Sequence, residues 1–341
     1  MINLAGEVGL ISLFTGAGGL DLGAERAGFT VRLCVEIDPI RVQTLSINKP
    51  EWPVLRHDVT TLPGSSILRK AGLRKGGAFF LGAGSPCQPY SKSAFWVPDR
   101  LFNIASDYRT RTLWDFARLV KEMQPQGFIL ENVGALSYEP SRPLFQRLTN
   151  RLRKAGYGLS WRIINGAAYG VPQKRERIFL IGLKGGRQFE FPKYTHTPSE
   201  YVSSSEAFLG LKDKPEDGEI VAGKWAHLLP TIPPGENYLH LAKARGRRKP
   251  LFRWRSRYWS FLLKLSPHLP SWTIQANPGP YCGPFHWKNR RLRISEVKRI
   301  QTFPDNYCLS GGRTSMWRQL GDATPPLLAL KLCASMLRQA S

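Results

Sequence analysis

Gly9-Leu10-Ile11-Ser12-Leu13-Phe14-Thr15-Gly16-Ala17-Gly18-Gly19 decides the fold: an apolar run enters a glycine turn, and residues 21–27 then read as a helix. Short apolar runs bounded by turn residues mark strands covered on both faces, and helices between them build a parallel sheet. The rhythm repeats outward, as Thr30–Glu36 followed by Pro39–Asn48, then runs at 78–81 and 127–130, and two further strands at 158–164 and 177–181. The clearest helix spans 113–123, where Leu113, Phe116, Ala117, Val120 and Met123 recur at helical spacing before Pro125 stops it. Residues 325–337 are again apolar at helical spacing and are expected to return to the sheet. The expected class is α/β.

A glycine turn at the carboxyl edge of a first strand is where such sheets bind nucleotide-like ligands. Alone it reads equally as a tight strand-to-helix turn. Glu36 ends the next strand 20 residues after Gly16, where a carboxylate can accept both hydroxyls of a ribose. Where a dinucleotide-binding turn has its third glycine, this chain has Asp21, an acid that repels phosphate at a helix start. The ligand therefore carries a ribose diol and no phosphate, which suits S-adenosylmethionine better than a nicotinamide or flavin dinucleotide. Asp58, after His57, reads either as an acceptor for the adenine amino group or as a simple cap.

The 341 residues include 49 lysines and arginines against 25 acids, a net charge of +24. That excess favours a polyanionic partner. No apolar run reaches the roughly 20 residues of a membrane span, and residues 1–14 lack the basic start of a secretory signal. Five cysteines without a Cys-x-x-Cys pair suggest neither a disulfide framework nor a metal site, and fit a reducing cytoplasm. Lys243, Arg245, Arg247, Arg248, Lys249, Arg253, Arg255 and Arg257 crowd together among Phe252, Trp254, Tyr258 and Trp259. A solvated basic face is the bland reading; the missing acids and the interleaved aromatics favour phosphate contact.

Gly84-Ser85-Pro86-Cys87-Gln88-Pro89-Tyr90-Ser91 lies past the third apolar run, and its glycine and prolines would hold Cys87 out of the core as a reactive thiol. Glu131-Asn132 follows the next strand, and Gln173-Lys174-Arg175-Glu176-Arg177 opens another with two guanidiniums. Together with Leu13 to Gly19, Arg290-x-Leu292 with Glu296, Gln301-x-Phe303-Pro304 and Gly321 to Pro326, these blocks resemble, in order, the cytosine-5 DNA methyltransferase family. They cover nearly the whole chain outside 184–288.

The resemblance implies a Rossmann-like S-adenosylmethionine-dependent methyltransferase domain at 1–183 plus 321–341. A small domain at 184–320 would carry the target-recognition region at about 184–288. It implies that Cys87 attacks carbon 6 of cytosine, that Glu131, held protonated, donates at ring N3, and that Arg175 and Arg177 orient Glu131 and stabilise O2. The cofactor would meet Phe14, Thr15, Gly16, Ala17, Gly18, Gly19, Glu36, Ile37, Asp58, Val59, Pro86, Leu113, Asp322 and Thr324. The base must leave the duplex stack. A loop at 92–110 would close over it, with Lys92, Arg100 and Arg109 on phosphates; Gln88, Ser91, Arg245, Arg247, Arg248, Arg253, Arg255, Arg257 and Arg290 would complete the contacts with double-stranded DNA. A surface loop without this role reads as well at 92–110.

Three departures stand out: Ser12 where the family usually has an acid, Arg293 where threonine is common, and Asp322 where asparagine is usual. Asp322 could weaken cofactor binding if its charge faced the methionine carboxylate. The expected protein is a monomeric modification enzyme of the nucleoid, compatible with a cognate restriction endonuclease acting separately. A tRNA cytosine-5 methyltransferase, a dinucleotide oxidoreductase and a non-catalytic DNA-binding relative are the rival readings.

Overall fold

β1 (Gly9–Leu13) is buried along its whole length, as an apolar run at the centre of a two-faced sheet requires. The structure, a computed structural model, describes residues 8–86, 110–139, 141–212, 214–242, 250–252 and 259–340. After β1 come α1 (Gly19–Ala27), β2 (Thr30–Glu36), α2 (Pro39–Asn48), β3 (Val54–Arg56), α3 (Gly64–Ala71) and β4 (Phe79–Gly84). α4 (Arg111–Met123), β5 (Gly127–Val133), α5 (Arg142–Lys154), β6 (Tyr157–Asn165), β7 (Gln173–Lys174) and β8 (Glu176–Lys184) follow.

The main sheet has the order β3-β2-β1-β4-β5-β8-β6. From β3 to β5 it is parallel, and its order reverses between β1 and β4, which makes the crevice at their carboxyl ends the ligand site of such a sheet. The purely parallel reading fails at the other side: β8 runs antiparallel to both β5 and β6. The short connection from β6 to β8 cannot make the long crossover that a parallel pair needs. β7 leaves the main sheet and pairs with β9 (Ser271–Trp272).

Hydrophobic layers cover both faces. One holds Ile67, Leu113, Phe116, Val120, Leu148 and Leu152 from α3, α4 and α5. The other joins α1 and the final helices: α6 (Ile294–Ile300), α7 (Arg313–Asp322) and α8 (Pro326–Ala340). Leu292, Val297, Ile300, Phe303 and Leu320 thus belong to the large core, while Leu228, Leu229, Ile232, Tyr238, Leu241, Phe252, Leu262 and Phe285 form a separate small one. Phe252, expected among the basic aromatic surface, is one of these core residues at 2% exposure, because an isolated apolar ring in a charged stretch is best satisfied by burial. Among the described residues no helix is long and apolar enough to cross a membrane.

The sheet is closed on one face by α8 lying across α1, and their approach is set by Gly23. A Cβ at Gly23 would sit 2.4 Å from the Ala329 Cβ and 2.4 Å from the Pro326 carbonyl. Gly23→Ala should therefore destabilise the protein by about 1–3 kcal/mol through overpacking, although alanine is the better helix former by about 1 kcal/mol. A lowered midpoint in urea unfolding is the expected result; an unchanged or raised midpoint would contradict this packing.

Candidate active site

The turn after β1 has a left-handed backbone at Phe14 (φ 54°), Gly16 (63°) and Gly18 (76°). Three contacts hold it. The Thr15 amide donates to the Val35 carbonyl at 3.3 Å, the Gly16 amide to Glu36 Oε2 at 2.7 Å, and the Tyr307 hydroxyl to the Ala17 carbonyl at 2.8 Å. Glu36 Oε1 accepts from the amides of Ile37 and Asp38, each at 2.9 Å. Three of the roughly four acceptor positions of a carboxylate are thus taken by backbone, so Glu36 ties the glycine turn to the end of β2 before any ligand arrives.

The crevice beside this turn is lined by Ser12, Phe14, Thr15, Gly16, Gly19, Leu20, Asp21, Arg41, Gly84, Asp322, Ala323 and Thr324. Six of the residues expected at a cofactor are therefore together. Ile37 is 59% exposed and Pro86 half-buried at the end of the β4 segment. Ala17 and Val59 are core residues, and Gly18 packs under Leu45, Trp52 and Tyr307. Asp58 caps the turn Val59–Thr61, its Oδ1 accepting from the Thr60 amide and hydroxyl at 2.9 Å each. Leu113 is a correction: it lies fully buried with Phe116 and Val120, because the apolar face of α4 points into the sheet.

Two charged residues of the crevice, Arg41 and Asp21, were not among the residues expected to hold a cofactor. Arg41, in the first turn of α2, pairs with Asp322, and this settles the charge of Asp322 that had looked troublesome. Asp322, Glu36 and Asp38 together hold the Arg41 guanidinium above its ordinary pKa despite its burial. A cation near a helix N-terminus works against the helix dipole, and that was the available signal. Asp21 had been read only as repelling phosphate. It is 1% exposed, neither carboxylate oxygen has a hydrogen-bond partner of normal geometry among the described residues, and burial pushes its pKa to about 7.

At the next strand ends, Gly84 and Glu131 are register partners on β4 and β5. Glu131 is 5% exposed, and burial raises its carboxyl above the ordinary range against the pull of Arg177 and Arg175. Arg177 Nε lies 3.0 Å from Glu131 Oε1. Arg175 does not make the matching contact: its Nη1 and Nη2 donate to the carbonyls of Ile274 and Gly321 at 3.3 and 2.9 Å. The Arg175 guanidinium clamps two backbone segments and acts on Glu131 through its charge, while Arg177 contacts Glu131 directly. Gln173 assists that clamp, donating to Gln301 Oε1 at 2.8 Å and accepting from the Ile274 amide at 3.0 Å.

Asn132, beside Glu131, has a structural role. Its amide donates to the Ser85 hydroxyl at 2.8 Å and the Ser85 carbonyl at 3.3 Å, fixing the base of the segment that leads to Cys87. Cys87 itself, Gln88, Ser91, Lys92, Arg100, Arg109, Arg245, Arg247, Arg248, Arg253, Arg255 and Arg257 lie outside the described residues. Arg290, expected on DNA, is otherwise engaged: its guanidinium binds Glu296 at 2.6 and 2.9 Å and approaches Glu219 at 3.3 Å. Buried carboxylates need such partners, and Arg293 joins them by pairing with Glu219 at 2.7 Å.

Comparison with known proteins agrees with this geometry. The chain is 39% identical to the type II methyltransferase M.SacI of Streptomyces achromogenes, over 98% of its own length and 93% of that protein. It is 31% identical to the type II methyltransferase M1.HphI of Haemophilus parahaemolyticus, over 96% and 86% of the two chains. Its fold matches that of a protein assigned as a DNA modification methyltransferase of an E. coli prophage, with a TM-score of 0.72 and 22% identity over 97% of this chain and 99% of the other. The sequence model of the C-5 cytosine-specific DNA methylase family matches residues 8–338. The chain belongs to that family and is a DNA cytosine-5 methyltransferase.

Proposed function

We propose that this methyltransferase takes its methyl group from S-adenosylmethionine and acts on a flipped cytosine in a short duplex sequence, through a covalent bond between Cys87 and carbon 6. The observation that carries the reading is Glu131: a carboxyl whose pKa is raised by burial, in contact with Arg177, in register with the strand that leads to Cys87. A carboxyl kept protonated can donate where a carboxylate cannot.

S-adenosylmethionine, when bound, supplies an electrophilic methyl on a sulfonium. The crevice suits it: a buried acid without a counter-charge favours a cation and opposes pyrophosphate, and Glu36 keeps an acceptor position for a ribose hydroxyl. Phe14, Thr15, Gly16, Gly19, Asp322 and Thr324 would hold it, with Ile37 at the rim. On the base, the Cys87 thiolate bonds carbon 6 while Glu131 delivers its proton to N3, and carbon 5 becomes nucleophilic. After methylation, loss of the carbon 5 proton and return of the N3 proton expel Cys87 as thiolate. Arg177 steadies Glu131 and the developing charge.

The charge of +24 suits duplex DNA as substrate. The type II names of M.SacI and M1.HphI support a modification enzyme of the restriction-modification kind. Our reading adds that it acts as a monomer at the nucleoid in the cytoplasm, with any cognate endonuclease a separate protein. We divide the chain into a catalytic domain at 1–183 plus 321–341 and a small domain at 184–320; the separate small core lies within 228–285, and Leu292 to Leu320 pack into the large core.

Duplex DNA carrying 5-fluorocytosine in its target should form a denaturation-resistant adduct with the wild type and none with Cys87→Ala, which should still bind DNA; methyl transfer persisting in Cys87→Ala would end the mechanism. Glu131→Gln should lower the single-turnover rate by about 100-fold or more, the scale of general acid catalysis, with cofactor affinity unchanged. Loss of cofactor binding in that variant would mean that Glu131 serves the crevice rather than the base.

A further inference from the structure

Helix α5 has two sharply different sides. Phe145, Leu148 and Leu152 are buried in the layer that covers the sheet. The outward side carries the cations Arg142, Arg147, Arg151, Arg153 and Lys154, all exposed, and no acid. Arg147, Arg151 and Lys154 fall at i, i+4 and i+7 and so form one stripe. Among the described residues these cations make no salt bridge: the Arg151 guanidinium lies 4.5 Å from the centroid of the Trp114 ring, and Arg153 Nη1 donates to Asn150 Oδ1 at 3.4 Å. Neighbouring α4 shows the alternative, with Arg118 placed 3.0 Å from Asp115 and 3.1 Å from Glu122. Like charges at i, i+4 cost a helix about 0.2–0.5 kcal/mol per pair, so α5 carries a repulsion that an anionic partner would remove.

β6 runs parallel to β5, since both are antiparallel to β8, and α5 between them returns from the edge that carries Glu131 toward the opposite one. Its cations therefore make a track about 18 Å long, at 1.5 Å per residue, that leads away from Glu131. We propose that this side of α5 is a second DNA contact, which holds the phosphates of a duplex segment distant from the cytosine being methylated. Four of its five cations are arginine, whose fork matches phosphate oxygens, and Gln146 and Asn150 beside them are further phosphate donors. A protein partner would call for an apolar anchor, and a membrane surface for an exposed apolar stripe. The apolar stripe of α5 is already buried against the sheet. The contact is independent of the covalent step and of the cofactor; it governs how the enzyme stays on DNA between targets.

Fluorescence anisotropy of a labelled duplex several helical turns long, titrated with full-length protein at a series of salt concentrations, tests this. In the triple variant Arg147→Gln, Arg151→Gln, Lys154→Gln the slope of log affinity against log salt should become shallower by about 2 to 3, because each neutralised phosphate contributes about 0.9. The control Arg26→Gln, Lys331→Gln, Arg338→Gln removes the same charge from α1 and α8, on the other face of the sheet, and should keep the wild-type slope. Arg147→Lys, Arg151→Lys keeps the charge of the stripe and should keep the slope as well. On plasmid DNA the α5 triple variant should show a raised KM and an unchanged single-turnover rate at saturating DNA.

An unchanged slope in the α5 variant, or an equal change in the control, overturns the contact. A lowered single-turnover rate at saturating DNA also overturns it, by placing the effect in the catalytic centre. Should loss of the Arg151 stacking on Trp114 prevent folding, the double variant Arg147→Gln, Lys154→Gln decides, with a slope shallower by about 1.8 expected.

Discussion

A carboxyl group withdrawn from water at the carboxyl end of β5, with one guanidinium 3.0 Å away, is the constraint around which the candidate active site is built. Burial favours the neutral acid and the cation favours the anion, and burial prevails. The balance depends on the sheet. Because β8 runs antiparallel to β5, Arg177 pairs in register with Val133, two residues from Glu131 and on the same face of the strand. A parallel β8 would carry Arg177 to the opposite edge.

The same edge collects the rest of the machinery by backbone rather than by side-chain reach. Glu36 fastens the glycine turn to β2, Asn132 fastens the exit of β4, and Arg175 with Gln173 fastens the 274 segment and the end of α7. Each is a buried polar group with at least one hydrogen bond to main chain from a distant part of the sequence. Such contacts define position closely, since breaking one leaves a buried group unsatisfied.

How much of this was legible in the sequence follows from how local each signal is. β2 and α2 were read to the residue, because strand and helix periodicity are properties of adjacent residues. The crevice residues of the glycine turn, and Glu131, were found from their motifs. What was missed is tertiary. Helix α4 was correct as a helix, but which side of Leu113 meets ligand or core depends on the sheet beneath it. Arg175 was expected to orient Glu131 and Arg290 to meet DNA, since their partners, the carbonyls of 274 and 321 and the acids Glu219 and Glu296, are revealed only by folding. Arg41 and Asp322 are 281 residues apart in sequence and meet across the crevice.

Bisulfite sequencing of plasmid DNA from an expressing host reads out whether the protein methylates carbon 5 of cytosine through Cys87. One short sequence motif should retain unconverted cytosine at a single position in cells making the wild type, and every cytosine should convert in cells making Cys87→Ala. Full conversion in both, from protein shown to be folded and present, or protection that survives in the variant, would contradict the account.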